Sequence, residues 1–271
     1  VVKTGHKLRL LDLFCGAGGA AVGYHRAGFD EIVGVDIKPM PRYPFTFVQA
    51  DALEYCAAHG REFDAIHASP PCQAYSALRC LPWLRDRVYP DLMEATRATL
   101  RMVSRPYVIE NVARAPMQGV VLCGRSFGLP VFRHRRFESN IVLLQPPHST
   151  HDQVIGKGRM VNDRRKGTLN AGSNRGAWGR QSIITVAGGQ CRKDEAERAL
   201  GIDWMLKPEL MQAIPPAYTE YIGLQLMAYL RHENTVPSPR MSEVGCQPSA
   251  VQSSLEGTSA PKGGNPEAGT P

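Results

Sequence analysis

The chain is most informative first in what it does not contain. Within its 271 residues no run approaches the roughly 18 consecutive apolar residues that a membrane span needs, and no amino-terminal apolar segment precedes a small-residue cleavage site. Membrane insertion and secretion are therefore not expected. Seven cysteines is an odd number and none forms a C-x-x-C pair, so neither a disulfide framework nor a ribbon-type zinc site is indicated. A reducing cytoplasm fits this usage. The dinucleotide pattern G-x-G-x-x-G is also missing, which disfavours a nicotinamide oxidoreductase. No metal site is expected, because His148-Ser149-Thr150-His151 has only loose ligand spacing and no cysteine or carboxylate partner is evident nearby.

What is present is a composition of 43% hydrophobic and 21% charged residues, ample for a buried core, and a net charge of +7. Nine basic residues against two acidic ones lie between Gln145 and Lys193, a surplus equal to that of the whole chain. Confined positive charge is the electrostatic signature of a polyanion partner, most simply nucleic acid.

Short apolar runs alternate with helical patterns through the first part of the chain. Strands are expected at Leu8–Phe14, Glu31–Asp36, Thr46–Gln49, Asp64–Ala68, Pro106–Glu110, Val120–Cys123 and Phe137–Leu143. Helices are expected at Ala20–Ala27, Ala52–Ala58, Asp91–Val103, Asp194–Leu200 and Ala217–Arg231. The fold class that follows is α/β: a doubly wound, mostly parallel, Rossmann-like sheet. Residues 1–144 and 194–232 would form the main domain. Residues 145–193, rich in glycine and without sustained periodicity, would form a small irregular or β-rich module. Residues 233–271 read as a disordered tail.

Chemistry concentrates at predicted strand ends. Asp12-Leu13-Phe14-Cys15-Gly16-Ala17-Gly18-Gly19 leads a strand into a helix, where glycines allow close backbone approach and unpaired N–H groups face a ligand. Asp36 ends the next strand, and Asp51 follows the third, either as a ligand contact or as a helix N-cap. Ser69-Pro70-Pro71-Cys72-Gln73-Ala74-Tyr75-Ser76 holds Cys72 on a stiff loop at the sheet's carboxyl edge. Glu110-Asn111-Val112 ends another apolar strand, where a partly desolvated carboxyl can hold a proton near neutrality.

Taken in order, these motifs resemble the cytosine-C5 DNA methyltransferases, and most of all their compact bacterial and bacteriophage members. Asp12–Gly19, Val35-Asp36 and Ala50-Asp51-Ala52 match the family's first three motifs. Pro71-Cys72-Gln73 with Ser76 matches the catalytic motif, Glu110-Asn111-Val112 the sixth, and Gly128-Leu129-Pro130 with Arg133-His134-Arg135 the eighth. Ala196–Trp204 and Ala213–Gly223 look like the ninth and tenth.

The resemblance implies S-adenosylmethionine, or a modified derivative, against Phe14, Gly16, Gly18 and Gly19, with Asp36 and Ile37, Asp51 and Ala52, and Pro70 completing the cofactor site. Cys72 would add to cytosine C6 and Glu110 would act at N3. Arg133 and Arg135 would hold the base's O2 and the backbone phosphate, and Arg135 or the loop amides could lower the Cys72 thiol's pKa. Pro71, Gln73, Ser76, Asn111, Arg164, Arg165 and Arg175 would contact double-stranded DNA, the chain acting as a monomer. Three positions depart from the family: Val131 replaces a usual glutamine, Met211-Gln212 a usual Gly-Asn, and the recognition module is short, which implies a short or relaxed target. An RNA substrate, transfer of a different group, and a catalytically silent DNA-binding protein are the alternatives.

Overall fold

The computed structural model describes residues 7–76, 87–148, 186 and 191–235. Arg164, Arg165 and Arg175, most of the expected recognition module and all of the expected tail beyond Thr235 lie outside these residues; Glu233–Thr235, expected in the tail, end the last helix. Seven strands form one sheet: β1 (Arg9–Leu13), β2 (Glu31–Asp36), β3 (Thr46–Gln49), β4 (Ala65–Ala68), β5 (Tyr107–Val112), β6 (Val120–Leu122) and β7 (Arg135–Ser139). Their order across the sheet is β3-β2-β1-β4-β5-β7-β6. The first five run parallel, while β7 is antiparallel to both β5 and β6. The order reverses between β1 and β4, and that is where doubly wound sheets open a ligand crevice.

Helices cover both faces: α1 (Gly19–Ala27) and α6 (Pro216–Thr235) on one, α2 (Ala52–His59) and α3 (Met93–Val103) on the other. Two further helices, α4 (Lys193–Leu200) and α5 (Lys207–Gln212), build a third apolar cluster with Val131 and Val186. Burial on both faces explains why strands such as Leu10-Leu11-Asp12-Leu13 read as nearly continuous apolar runs.

Helix α1 lies flush on α6. A Cβ on Gly23 would sit 2.1 Å from Thr219 Oγ1 and 2.2 Å from the Pro216 carbonyl, so only glycine admits this approach. Thr219 Oγ1 in turn donates to the Ala20 carbonyl at 2.8 Å. Among the described residues no helix is long and apolar enough to cross a membrane.

Two elements differ from the sequence reading. Strand β7 starts at Arg135 and ends at Ser139, not at 137 and 143. It stops there because Asn140 turns its side chain back to accept from Tyr107 N (2.8 Å) and donate to the Arg105 carbonyl (3.0 Å). Ile141 and Leu143 beyond it pack on the core from a loop. Helix α5, six residues with proline in its first turn, is too short to announce itself by periodicity.

Candidate active site

The turn from β1 into α1 is held open by backbone of unusual conformation. Phe14 (φ 56°) and Gly16 (φ 49°) are left-handed, and Gly18 (φ 85°) caps the helix that Gly19 begins. A Cβ on Gly16 would meet nothing within 4 Å, so glycine there serves the left-handed turn and leaves the space beside it clear. Asp36 braces this turn from β2: Oδ2 accepts from Gly16 N at 3.1 Å and Oδ1 from Lys38 N at 3.0 Å. Trp204 Nε1 reaches across from the α4–α5 connection to the Ala17 carbonyl at 2.9 Å. Ile37, next to Asp36, is 67% exposed, a large apolar side chain left uncovered at the strand end.

Asp51 does cap α2, its Oδ1 accepting from Leu53 N (2.8 Å) and Glu54 N (3.0 Å), while Ala52 is buried behind it. Capping uses only one carboxylate oxygen, so both roles considered for Asp51 are compatible with this geometry.

The loop after β4 carries the thiol. Ala68 pairs with Ile109, so Ser69 comes abreast of Glu110 on the next strand. Asn111, 1% exposed, donates from Nδ2 to the buried Pro70's carbonyl at 2.9 Å and accepts from Val112 N through Oδ1. It thereby fastens the proline loop to β5; expected at the substrate, it is found here as a residue that positions the loop. Pro71, Cys72 and Ser76 are half-buried, Gln73 is exposed, and Tyr75 hydrogen-bonds Asp91 through its hydroxyl.

Cys72 and Glu110 share one electrostatic neighbourhood with Arg135 and Arg133. Burial pushes the Cys72 thiol up; Arg135 and Arg133 pull it down and Glu110 raises it further. Arg135 and the loop backbone lower the thiol as expected, yet desolvation outweighs them and the net direction is upward. Burial also raises Glu110, opposed by Arg135, by Arg133 and by the Ser69 hydroxyl. Arg135 Nε stands 2.9 Å from Glu110 Oε1, yet that oxygen has no properly directed hydrogen bond, so the pair is held by charge more than by alignment.

Arg133 is placed differently from its expected contact with a base. It is 5% exposed, with Nη1 donating to the Val186 carbonyl (2.9 Å) and Nη2 to the Met211 carbonyl (2.7 Å). Burial, with Arg135 nearby, pushes it down to about 9. Both terminal nitrogens are thus engaged in joining the approach to β7 with α5, and Arg135 is the guanidinium beside the thiol and carboxyl.

Sequence reasoning passed over a polar chain beneath the site. His67 on β4 is fully buried; its Nδ1 bonds the Tyr24 hydroxyl at 2.9 Å and its Nε2 the Ser69 hydroxyl at 2.8 Å. Burial lowers His67 to about 3, so the ring is neutral. With Ser69 against Glu110, the chain runs from α1 to the candidate carboxyl. Alongside it, buried Asp12 accepts from Tyr43 at 3.1 Å and is raised to about 7 by desolvation. The available signal was a histidine inside the otherwise apolar run Ala65-Ile66-His67-Ala68.

Known proteins are similar to this chain in sequence and in fold. Residues 8–80, from β1 through the cysteine loop, match the family model for C-5 cytosine-specific DNA methylases. The Type II methyltransferase M.XorII of Xanthomonas oryzae pv. oryzae is 29% identical over 149 residues, 49% of this chain and 31% of the relative. M1.HphI of Haemophilus parahaemolyticus, also a Type II methyltransferase, is 26% identical over 213 residues, 62% of this chain and 55% of the relative. The matched regions thus span about a third to a half of these relatives' lengths. A crystal structure described as a prophage-encoded DNA modification methyltransferase (E. coli) shares the fold at a TM-score of 0.52 and 16% identity, covering 83% of this chain and 99% of that one. The fold is Rossmann-like α/β. The likeness to C-5 cytosine-specific DNA methylases therefore rests on residues 8–80 and on relatives of 26–29% identity.

Proposed function

We propose that this chain methylates C5 of cytosine in double-stranded DNA, with S-adenosylmethionine as methyl donor. The single observation that carries the reading is the convergence of Cys72, Glu110 and Arg135 at the carboxyl edge of the sheet, next to the turn at Phe14–Gly19. The residues at that turn suit the cofactor: Asp36 for ribose hydroxyls, exposed Ile37 for a flat apolar ring, and left-handed Gly16 with clear space beside it. Asp51, Ala52 and Pro70 complete that wall. When bound, S-adenosylmethionine supplies an electrophilic methyl group.

Cytosine C5 is a weak nucleophile, so the chain's task is to activate it. The Cys72 thiolate adds to C6, and the electron pair of the C5–C6 double bond becomes available at C5. Glu110, whose burial favours its protonated form, hydrogen-bonds N3 and draws charge from the ring. Arg135 compensates the negative charge that thiolate and carboxyl bring together. After the methyl group is in place, loss of the C5 proton restores the double bond and expels the thiolate. The target base has to leave the stack to reach Cys72, at a cost of a few kcal/mol. Contacts of the basic segment with phosphates offset that cost and make binding salt-dependent.

The test is methyl incorporation from labelled S-adenosylmethionine into duplex DNA, with modified cytosines located by sequencing. Wild type is expected to label DNA and to be trapped covalently on 5-fluorocytosine DNA, and Cys72→Ser to do neither. Unchanged product from Cys72→Ser, or labelling of RNA alone, would overturn the reading.

A further inference from the structure

On the side of β7 away from β5, three potential metal ligands converge that no functional reading above uses. Cys123 follows β6 directly, and the β6–β7 register pairs Leu122 with Arg135. The next pair along the antiparallel ladder is therefore Cys123 with His134, so two ligands are brought together by the sheet itself. His148 arrives from the loop after β7, whose path is fixed by Gln145 Oε1 accepting from Val121 N (3.1 Å) and the Pro147 carbonyl accepting from Ser126 Oγ (2.9 Å). The Cys123 sulfur and the two imidazole nitrogens lie within 4.8 Å of one another.

We propose that Cys123, His134 and His148 form a zinc site that ties the start of the basic segment to the strand carrying Arg135. His134 Nε2 and His148 Nε2 are 3.3 Å apart, with the rings inclined at 51°. Two nitrogens bound to zinc at the usual ~2.0–2.1 Å in tetrahedral positions lie roughly 3.3–3.4 Å from each other. The spacing is thus one edge of a zinc tetrahedron. One thiolate with two imidazoles is a donor set of borderline softness, which suits zinc over calcium or magnesium. Exposure rises from buried Cys123 through half-buried His134 to exposed His148, which gives the ion a route in from solvent.

The sequence hides this arrangement because its ligands stand far apart along the chain and are united by strand pairing for Cys123 and His134 and by a loop for His148. The expectation that His148 has no cysteine nearby is corrected by Cys123. The ion has no part in the methyl-transfer reading, so the two proposals stand or fall separately.

The experiment measures metal on the full chain, purified without a histidine tag and exposed to zinc before gel filtration. Mass spectrometry is expected to find about one zinc per chain, as for a dedicated thiolate-imidazole site. His148→Ala, a change at an exposed position, should lower that more than tenfold. Loading with cobalt(II) should give a thiolate-to-metal charge-transfer band that Cys123→Ser abolishes. A chelator should lower the Tm of wild type and leave that of His148→Ala unmoved. Absence of bound zinc and cobalt in wild type would overturn the proposal, as would full metal retention by His148→Ala.

Discussion

Beneath α2 and α3 the sheet presents Leu11, Leu13, Val33, Val35, Ile66, Ala68 and Ile109, all at most 5% exposed and all apolar. Beneath α1 and α6 the same strands present Asp12, His67 and Glu110, equally buried, with Tyr24, Tyr43 and Ser69 as hydrogen-bonding or charge partners. The first face is apolar throughout; the second, beside apolar residues of its own such as Leu10, Ile32, Ala65 and Val108, also accepts the cost of desolvating polar groups and brings a carboxyl of altered acidity to the carboxyl edge. Because side chains alternate along a strand, neighbours such as Ile66 and His67 serve opposite purposes.

That contrast can be broken most severely on the polar face. Glu110→Gln removes the acid but keeps the shape, and kcat for methyl transfer should fall about 10²–10⁴-fold with the Kd for DNA little changed. Single-turnover assays beside binding titrations check this, and an equal loss in both would contradict it. On the apolar face, Ile66→Ala should cost about 2–5 kcal/mol of stability by urea denaturation, with turnover per folded molecule preserved.

The next residue gives a pH signature. An unfolded histidine titrates near 6.5, while burial holds His67 to about 3. Below 6.5 the unfolded chain binds a proton that the folded chain refuses, so this residue makes stability fall as pH falls, by up to about 1.4 kcal/mol per pH unit. Asp12 and Glu110, both raised, act in the opposite direction, so the quantity to compare is the slope of wild type against that of His67→Asn. Equal slopes between pH 6.5 and 5 would show that His67 is not kept neutral. Smallest is Asp51→Ala, expected to cost about 1 kcal/mol through the lost helix cap. Asp51→Asn retains a capping oxygen, so any rise in its KM for S-adenosylmethionine isolates the cofactor contact.

Much of the parallel half was legible because its signals are local. The strands β1, β2, β4 and β5 are largely apolar runs, and the candidate site residues Gly16–Gly19, Asp36, Cys72 and Glu110 stand at or just beyond strand ends. The antiparallel edge was less so. There Arg133 turned inward to two carbonyls and Asn140 ended β7 early, both depending on partners many residues away. Cys123 and His134 meet only through strand register. Asn111 and His67 show the remaining limit, since residue type and position do not tell whether a buried polar side chain faces a ligand or its own backbone.

The contact at Gly23 has a consequence for biosynthesis. The first helix, which carries the glycine turn at its start, is seated by residues nearly two hundred positions later, with Thr219 bonded to Ala20. A ribosome will have exposed the glycine turn and its helix long before the helix that packs on them emerges. The first helix is therefore unable to take its final seat until translation has passed Thr219.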